Sequence, residues 1–188
     1  MNKLIIILIL FFAFNSASGQ TKWQISSKGV GPVQLGESIE QTRSQVSEKY
    51  TTTDNEKNGF DIYEDNKKLI SVWSKRMDGT IGFIEITSDK FQTKDGLKTG
   101  LTITEVEKLR DDFVLQLDEM SGEAFFKPTE LQTPSDEYYS NLNLLYFKST
   151  DGEDLVTNYK YDERSKSLKS TSYRKNGVLE YFFIYQWK

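Results

Sequence analysis

The sequence predicts an α+β fold of two tandem helix-plus-antiparallel-sheet repeats, the second with longer strands. Three observations carry this. A short pattern occurs twice, as Gly36-Glu37-Ser38-Ile39-Glu40-Gln41-Thr42 and as Gly100-Leu101-Thr102-Ile103-Thr104-Glu105-Val106, and both copies read as strand end, glycine and capped helix start. Each copy is followed by strand-like segments separated by polar turns. Aromatic residues make up 13% of the chain, most of them in its second half, against only three prolines, a composition that suits sheets.

In chain order, Asn2 and Lys3, the apolar run Leu4 to Phe14 and the small polar tail Asn15 to Gly19 predict a cleavable secretory signal over residues 1–19, cut after Gly19. The apolar run is well short of the roughly 20 residues a spanning helix needs, so no membrane span is expected. The chain has no cysteine. That removes the lipoprotein route to a lipid anchor and leaves packing alone to hold the fold. Export without disulfides points to a bacterial periplasm or the exterior.

The first repeat is expected over residues 20–90. Trp23 and Ile25 share one side of an extended lead, and Val33 and Leu35 point inward before Gly36. A helix from about Ile39 to Lys49 follows, with Ile39, Thr42, Val46 and Tyr50 as its buried stripe. Thr51 to Asn58 reads as a polar loop, and Phe60 to Tyr63, Leu69 to Ser74 and Thr80 to Thr87 as an antiparallel meander. The second repeat is expected over 91–188. Its helix should bury Ile103, Val106, Leu109 and Phe113. Strands are expected at Ala124 to Phe126, Leu142 to Phe147, Leu155 to Tyr161, Leu168 to Arg174 and Val178 to Trp187, with Asn176-Gly177 as a strong hairpin signal between the last two.

The doubled glycine, capping Ser or Thr, amphipathic helix and antiparallel meander resemble the fold shared by the β-lactamase-inhibitor protein and the small outer-membrane-assembly lipoproteins of the SmpA/OmlA type. The residues that match are Gly36, Ser38, Ile39 and Thr42, then Gly100, Thr102, Ile103 and Val106. The resemblance implies architecture over most of the mature chain. Two features depart from it: there are no disulfides and no acylated cysteine.

Composition excludes much chemistry. With no histidine and no cysteine, Ser-His-Asp triads, Cys-His nucleophiles and the usual zinc sites are ruled out. The net charge is −4, and basic residues are scattered among acidic ones, so no nucleic-acid partner is expected. Three carboxylate pairs, Asp111-Asp112, Asp118-Glu119 and Glu153-Asp154, fall on a helix exterior, a helix end and a hairpin tip, where nothing shifts their pKa. Ser172-Tyr173-Arg174-Lys175 has Ser-x-x-Lys spacing but closes a strand instead of opening a helix. Asp54, Glu56, Asn58, Gly59 and Asp65 match positions of a calcium loop, although Glu56 is too long for its position and Asp65 too short. Cofactors and metals are expected to be none.

The remaining candidate surface is aromatic. In the last strand Leu179, Tyr181, Phe183, Tyr185 and Trp187 alternate onto one face, and Phe182 and Ile184 onto the other. Tyr159 and Tyr161 share a face of another strand, expected next to it. Tyr159, Tyr161, Tyr181, Tyr185 and Trp187 are therefore the candidate binding residues, the competing reading being that these rings only cover the core. The expected function is a non-enzymatic exported envelope protein that binds another envelope protein or a peptide on a concave sheet face. The alternative is a small exported enzyme using carboxylates or a bound cation.

Overall fold

One antiparallel sheet of ten strands carries both halves of the chain, and a small three-stranded sheet precedes it. The structure, a computed structural model, describes residues 23–74, 77–110, 113–117, 123–128, 141–151, 155–162 and 167–186, with backbone only for 117, 141–143, 156–162 and 167–172. In chain order the elements are β1 (Ile25–Ser26), β2 (Gly29–Val30), β3 (Val33–Gln34), α1 (Ile39–Ser47), β4 (Thr51–Asn55), β5 (Gly59–Glu64), β6 (Lys67–Trp73), β7 (Phe83–Ile86), α2 (Ile103–Leu109), β8 (Leu115–Leu117), β9 (Ala124–Phe126), β10 (Asn141–Ser149), β11 (Val156–Asp162), β12 (Ser167–Tyr173) and β13 (Gly177–Gln186). The large sheet runs β11-β12-β8-β9-β10-β13-β7-β6-β5-β4.

The first half follows its local chemistry. Ser38 caps α1, and Thr42, Val46 and Tyr50 are buried on the expected stripe. Asp65 and Asn66, at φ 49° and 64°, form the two-residue turn between β5 and β6 whose twist matches that of the flanking strands. Thr51 to Asn55, expected as loop, is the edge strand β4. β-Branched threonines suit a pleated edge, and Thr52 Oγ1 is tied to α1 by Arg43 Nε at 3.3 Å and Ser47 Oγ at 3.0 Å.

The second half departs further. Helix α2 stops at Leu109, and Arg110 is already extended at φ −135°, ψ 113°. Continuing it would have placed Asp111 and Asp112 at the negative end of the helix dipole. Leu109, expected in the core, is 42% exposed. Phe113 is buried, but from beyond the helix, where it packs against Phe126, Phe147 and Tyr173 with ring centroids 4.8, 5.5 and 5.5 Å away. The chain then enters β8, a strand the helical reading had covered.

The expected β12–β13 hairpin does not form. β12 pairs with β11 and β8, and β13 with β10 and β7. The favoured hairpin turn needs positive φ at both central residues, and neither Asn176 nor Gly177 has it. Gly177 serves close packing instead: a Cβ there would sit 2.7 Å from Ile103 Cδ1 and from Leu155 Cδ2. Leu155 adjoins β11, which is separated from β13 by four strands in sheet order, and its carbonyl accepts from Arg174 N–H at 2.8 Å. This part of the sheet therefore curls strongly around the Phe113 rings.

The doubled motif is a joint used twice with the same hydrogen bonds. Gly36 and Gly100 sit at φ 83° and 84°. Gly36 N–H donates to Ile81 O at 2.7 Å, and Ile81 N–H donates to Glu37 O at 2.8 Å. Likewise Gly100 N–H donates to Leu179 O and Leu179 N–H to Leu101 O, both at 2.8 Å. The first joint grips the chain three residues before Ile84, the second three residues before Phe182. Across β7–β13, Ile84 pairs with Ile184 and Phe182 with Ile86, a local two-fold relation at the centre of the sheet. Beyond it the strand orders differ, β7-β6-β5-β4 on one side and β13-β10-β9-β8-β12-β11 on the other. The caps differ too. Thr102 and Glu105 form the full reciprocal box, whereas Ser38 accepts from Gln41 N–H at 3.4 Å without the return bond, and its neighbour Ile39 N–H goes to Gly79 O.

The helices, the small sheet and one face of the large sheet enclose the core, in which Phe60, Ile62, Ile70, Val72, Ile84, Ile86, Leu145, Phe182 and Ile184 are completely or almost completely buried. The opposite face of the sheet carries the candidate site.

Candidate functional site

Strand alternation decides which side chains reach this outer face. In β13, Phe182 and Ile184 turn into the core, while Tyr181, Phe183 and Tyr185 stand half-buried on the other side. Register then carries the face across neighbouring strands. Tyr185 lies opposite Phe83, and Phe83 opposite Trp73. Tyr181 lies opposite Tyr146, and Tyr146 opposite Phe125.

The result is two rows of rings running across the strands. Trp73 stacks on Phe83 at 5.5 Å and Phe83 on Tyr185 at 6.2 Å. Phe125 packs on Tyr146 at 5.8 Å, and Tyr146 stacks on Tyr181 at 4.7 Å. Phe183 stands between the rows and touches both, 5.4 Å from Tyr185, 5.7 Å from Trp73 and 6.4 Å from Tyr146. Leu144, opposite Phe183, lies low between them at 9% exposure. The strip covers β9, β10, β13, β7 and β6, roughly 19 Å at ~4.8 Å per strand spacing.

Polar groups frame the strip. Tyr181 hydroxyl donates to Glu123 Oε2 at 2.8 Å, and burial together with that carboxylate pushes the phenol pKa up, so the ring stays neutral. Lys68 pairs with Glu85 at 3.8 Å. Asp61 accepts from Asn55 Nδ2 at 3.1 Å and from Tyr63 hydroxyl at 3.3 Å. Lys57 Nζ sits 4.2 Å over the Trp73 ring. Lys127, just past β9, is half-buried, and burial alone holds its ammonium pKa below the usual range.

Of the residues expected to bind, Tyr181 and Tyr185 are in this strip. Trp187 lies outside the described residues. Tyr159 and Tyr161 lie on β11, at the far edge of the sheet and separated from β13 by four strands, and not on a neighbouring strand as expected. Their side chains are outside the described part. The register was invisible to local pattern, because β11 and β12 pair with each other and leave β13 to β10 and β7. Trp73, Phe83, Phe125, Tyr146 and Phe183 complete the strip. Trp73 and Phe83 could have been found had the β6–β7–β13 register been known, since each ends or begins a strand on the same face as Tyr185.

The other candidates separate. Asp54 and Asp65 sit near opposite ends of β5, roughly 17 Å apart for the five residues from Phe60 to Asp65 at ~3.4 Å each, so they cannot wrap one cation. Asp54 pairs with Arg43 of α1, and the Glu56-Lys57-Asn58 turn is closed by Asn55 Oδ1, which accepts from Lys57 and Gly59 N–H, both at 3.1 Å. Ser172 is strand and Lys175 lies in the following turn, where it pairs with Glu107 of α2, as does Tyr173 hydroxyl at 2.5 Å. Asp111-Asp112, Asp118-Glu119 and Glu153-Asp154 lie outside the described residues. An open cavity of about 480 Å³ beside α1 is lined by Ser38, Glu40, Asn58, Ser74, Asp78 and Thr80, among others. Thr80 and Ser74 hydroxyls and Thr80 N–H hold the Asp78 carboxyl below its ordinary range, which makes it a poor proton donor near neutrality. Among the described residues, no helix is long and apolar enough to cross a membrane.

The chain is thus an α+β protein built on one long antiparallel sheet. No protein-family model matches it. No curated protein matches it either. Its fold is similar to that of a solved structure, the uncharacterized protein yfeY from Escherichia coli, with a TM-score of 0.52 and 15% identity over 86% of this chain and 99% of that one.

Proposed function

We propose that the protein is an exported, non-enzymatic envelope protein that binds another protein or a peptide through the outer aromatic face of its sheet. The observation that carries this reading is the strip itself: seven aromatic rings on five adjacent strands, on the side away from the core, five of them half-buried. Isolated exposed rings need no explanation, but a contiguous set of this kind is what interfaces use, since large amphipathic rings give contact area at low entropy cost. Phe83, Phe125, Tyr181, Phe183 and Tyr185 keep part of their surface accessible, a surface suited to interleaving with side chains of a partner. The signal-like residues 1–19 and the absence of cysteine support an address in a bacterial envelope. The doubled joint's resemblance to β-lactamase-inhibitor and SmpA/OmlA-type proteins supports an assembly or binding role.

The test compares capture from envelope extracts by the wild-type chain and by a Phe183→Ser, Tyr185→Ser double variant of verified thermal stability. A partner retained by the first and lost by the second supports the reading. Equal retention by both refutes it.

A further inference from the structure

We propose, building on that reading, that Lys127 anchors a carboxylate of the partner, so that the aromatic face selects an acidic segment of another protein in which Asp or Glu neighbours apolar side chains. Strand alternation puts Lys127 on the side of Phe125. It lies one residue beyond the last ladder pair, Phe126 with Leu145, and so in line with Leu144 and, one strand further on, with Phe183 along the trough between the two rows. The carboxylates framing the strip already have local partners: Glu85 has Lys68, Glu123 has the Tyr181 hydroxyl, and Asp61 has Asn55 and Tyr63.

The two lysines at its ends do not. Among the described residues, neither Lys127 nor Lys57 has a carboxylate within ion-pair distance, and Lys57 instead covers Trp73. Among the described residues, an acidic protein, net charge −4, thus presents a cation without an ion-pair partner at each end of its apolar face. Charge complementarity fixes register and suppresses wrong partners, and an ion pair made beside rings that exclude water is stronger than one in bulk solvent. Lys127 has already lost much of its hydration in the free protein, so pairing costs it less further desolvation. A lipid acyl chain is the poorer fit. It needs to be covered on all sides, whereas an open sheet face covers one.

The test uses a random nonapeptide library displayed on phage and three forms of the mature chain: wild type, Lys127→Gln, and the Phe183→Ser, Tyr185→Ser variant. Wild type should retain peptides in which Asp or Glu lies beside Phe, Tyr, Trp or Leu. Representative synthetic peptides should bind about ten-fold more weakly when their acids are replaced by amides, and Lys127→Gln should abolish that difference while apolar selection persists. Peptides without acidic enrichment, or the same enrichment with Lys127→Gln, overturn the anchor while leaving the aromatic face intact as a binding surface. No loss of binding in the double variant overturns the face itself. Lysine-dependent binding to phosphatidylglycerol vesicles without peptide selection assigns the anchor to a lipid headgroup and overturns the proposal.

Discussion

Phe182 and Phe183 are adjacent, chemically identical and on opposite faces of β13, so truncating each in turn measures which face is core. Phe182 is 1% exposed and packs among Ile86, Ile184 and Leu145. Phe182→Ala deletes a ring from a closed interior and leaves a cavity, a loss of about 3–5 kcal/mol. Phe183 is only half-buried, and its neighbours are rings that can close over the gap. Its truncation should cost about 1–2 kcal/mol of area and ring contact. For a chain of this size each kcal/mol moves Tm by about 2–4 °C, so Phe182→Ala should lower Tm by about 6–20 °C and Phe183→Ala by a few degrees. Urea unfolding followed by circular dichroism gives the same comparison at one temperature. Equal losses, or a larger loss at Phe183, would show that the aromatic strip is structural core and would remove the basis for a binding face.

Gly59→Ala should destabilise by about 1–3 kcal/mol, because the added Cβ would lie 1.8 Å from Val72 O, a backbone atom that cannot step aside; an unchanged urea midpoint would contradict this register. Thr102→Ala should cost about 1 kcal/mol and Ser38→Ala less, since only Thr102 completes the reciprocal box, and the ranking is read from matched unfolding curves. Glu105 is held below its usual pKa by the Thr102 N–H and hydroxyl, so its contribution is present above the unfolded-state pKa and lost as pH falls through the lower folded-state value. Wild type should therefore lose stability on acidification below about pH 4.5 more steeply than Glu105→Gln does. Asp54→Ala should change stability by less than about 1 kcal/mol, since its ion pair with Arg43 is solvent-exposed, and added calcium should leave Tm unmoved in both forms; a calcium-dependent rise lost in the variant would revive a cation site.

What was legible in the sequence was whatever neighbouring residues decide among themselves. The cap at Thr102, the stripe of α1 through Thr42, Val46 and Tyr50 and the alternation of β13 from Tyr181 to Tyr185 are all set within a few residues of chain. The failures share one cause, long-range pairing. Asn176-Gly177 has the composition of a hairpin turn, but β12 is already taken by β11 and β8, so the glycine was selected by Ile103 and Leu155 passing against it. Phe113 fits a helical period, yet three rings from β9, β10 and β12 reward it more outside the helix. Thr51 to Thr53 carry no apolar residue and so gave no periodic signal, although their β-branching suits an edge. For the site, alternation within β13 separated the two faces correctly from Tyr181 to Tyr185, but Leu179, expected on the tyrosine face, is buried in the core, because the β10–β13 register shifts between Tyr146 and Phe147 and changes the phase of the strand. Alternation could not say that Trp73, Phe83, Tyr146 and Phe125 would join Tyr181 and Tyr185, because that depends on register across four ladders.

The same register explains why the face belongs to neither half of the chain alone. Residues before 90 supply Trp73 and Phe83, and residues after it supply Tyr181, Phe183, Tyr185, Tyr146 and Phe125. They meet only because Ile84 pairs with Ile184 and Ile86 with Phe182 on the other side of the same two strands. Each backbone pair that buries an aliphatic core contact also fixes the ring contact one residue away, since successive side chains point to opposite faces. A one-residue slip of β13 against β7 would exchange the two layers, placing the tyrosines in the core and Phe182 and Ile184 in water. The joints at Gly36 and Gly100 oppose that slip from both ends, gripping Ile81 just before β7 and Leu179 within β13. The doubled motif therefore acts on the candidate site from a distance. By fixing where the two halves join, it determines which rings stand side by side on the outer face.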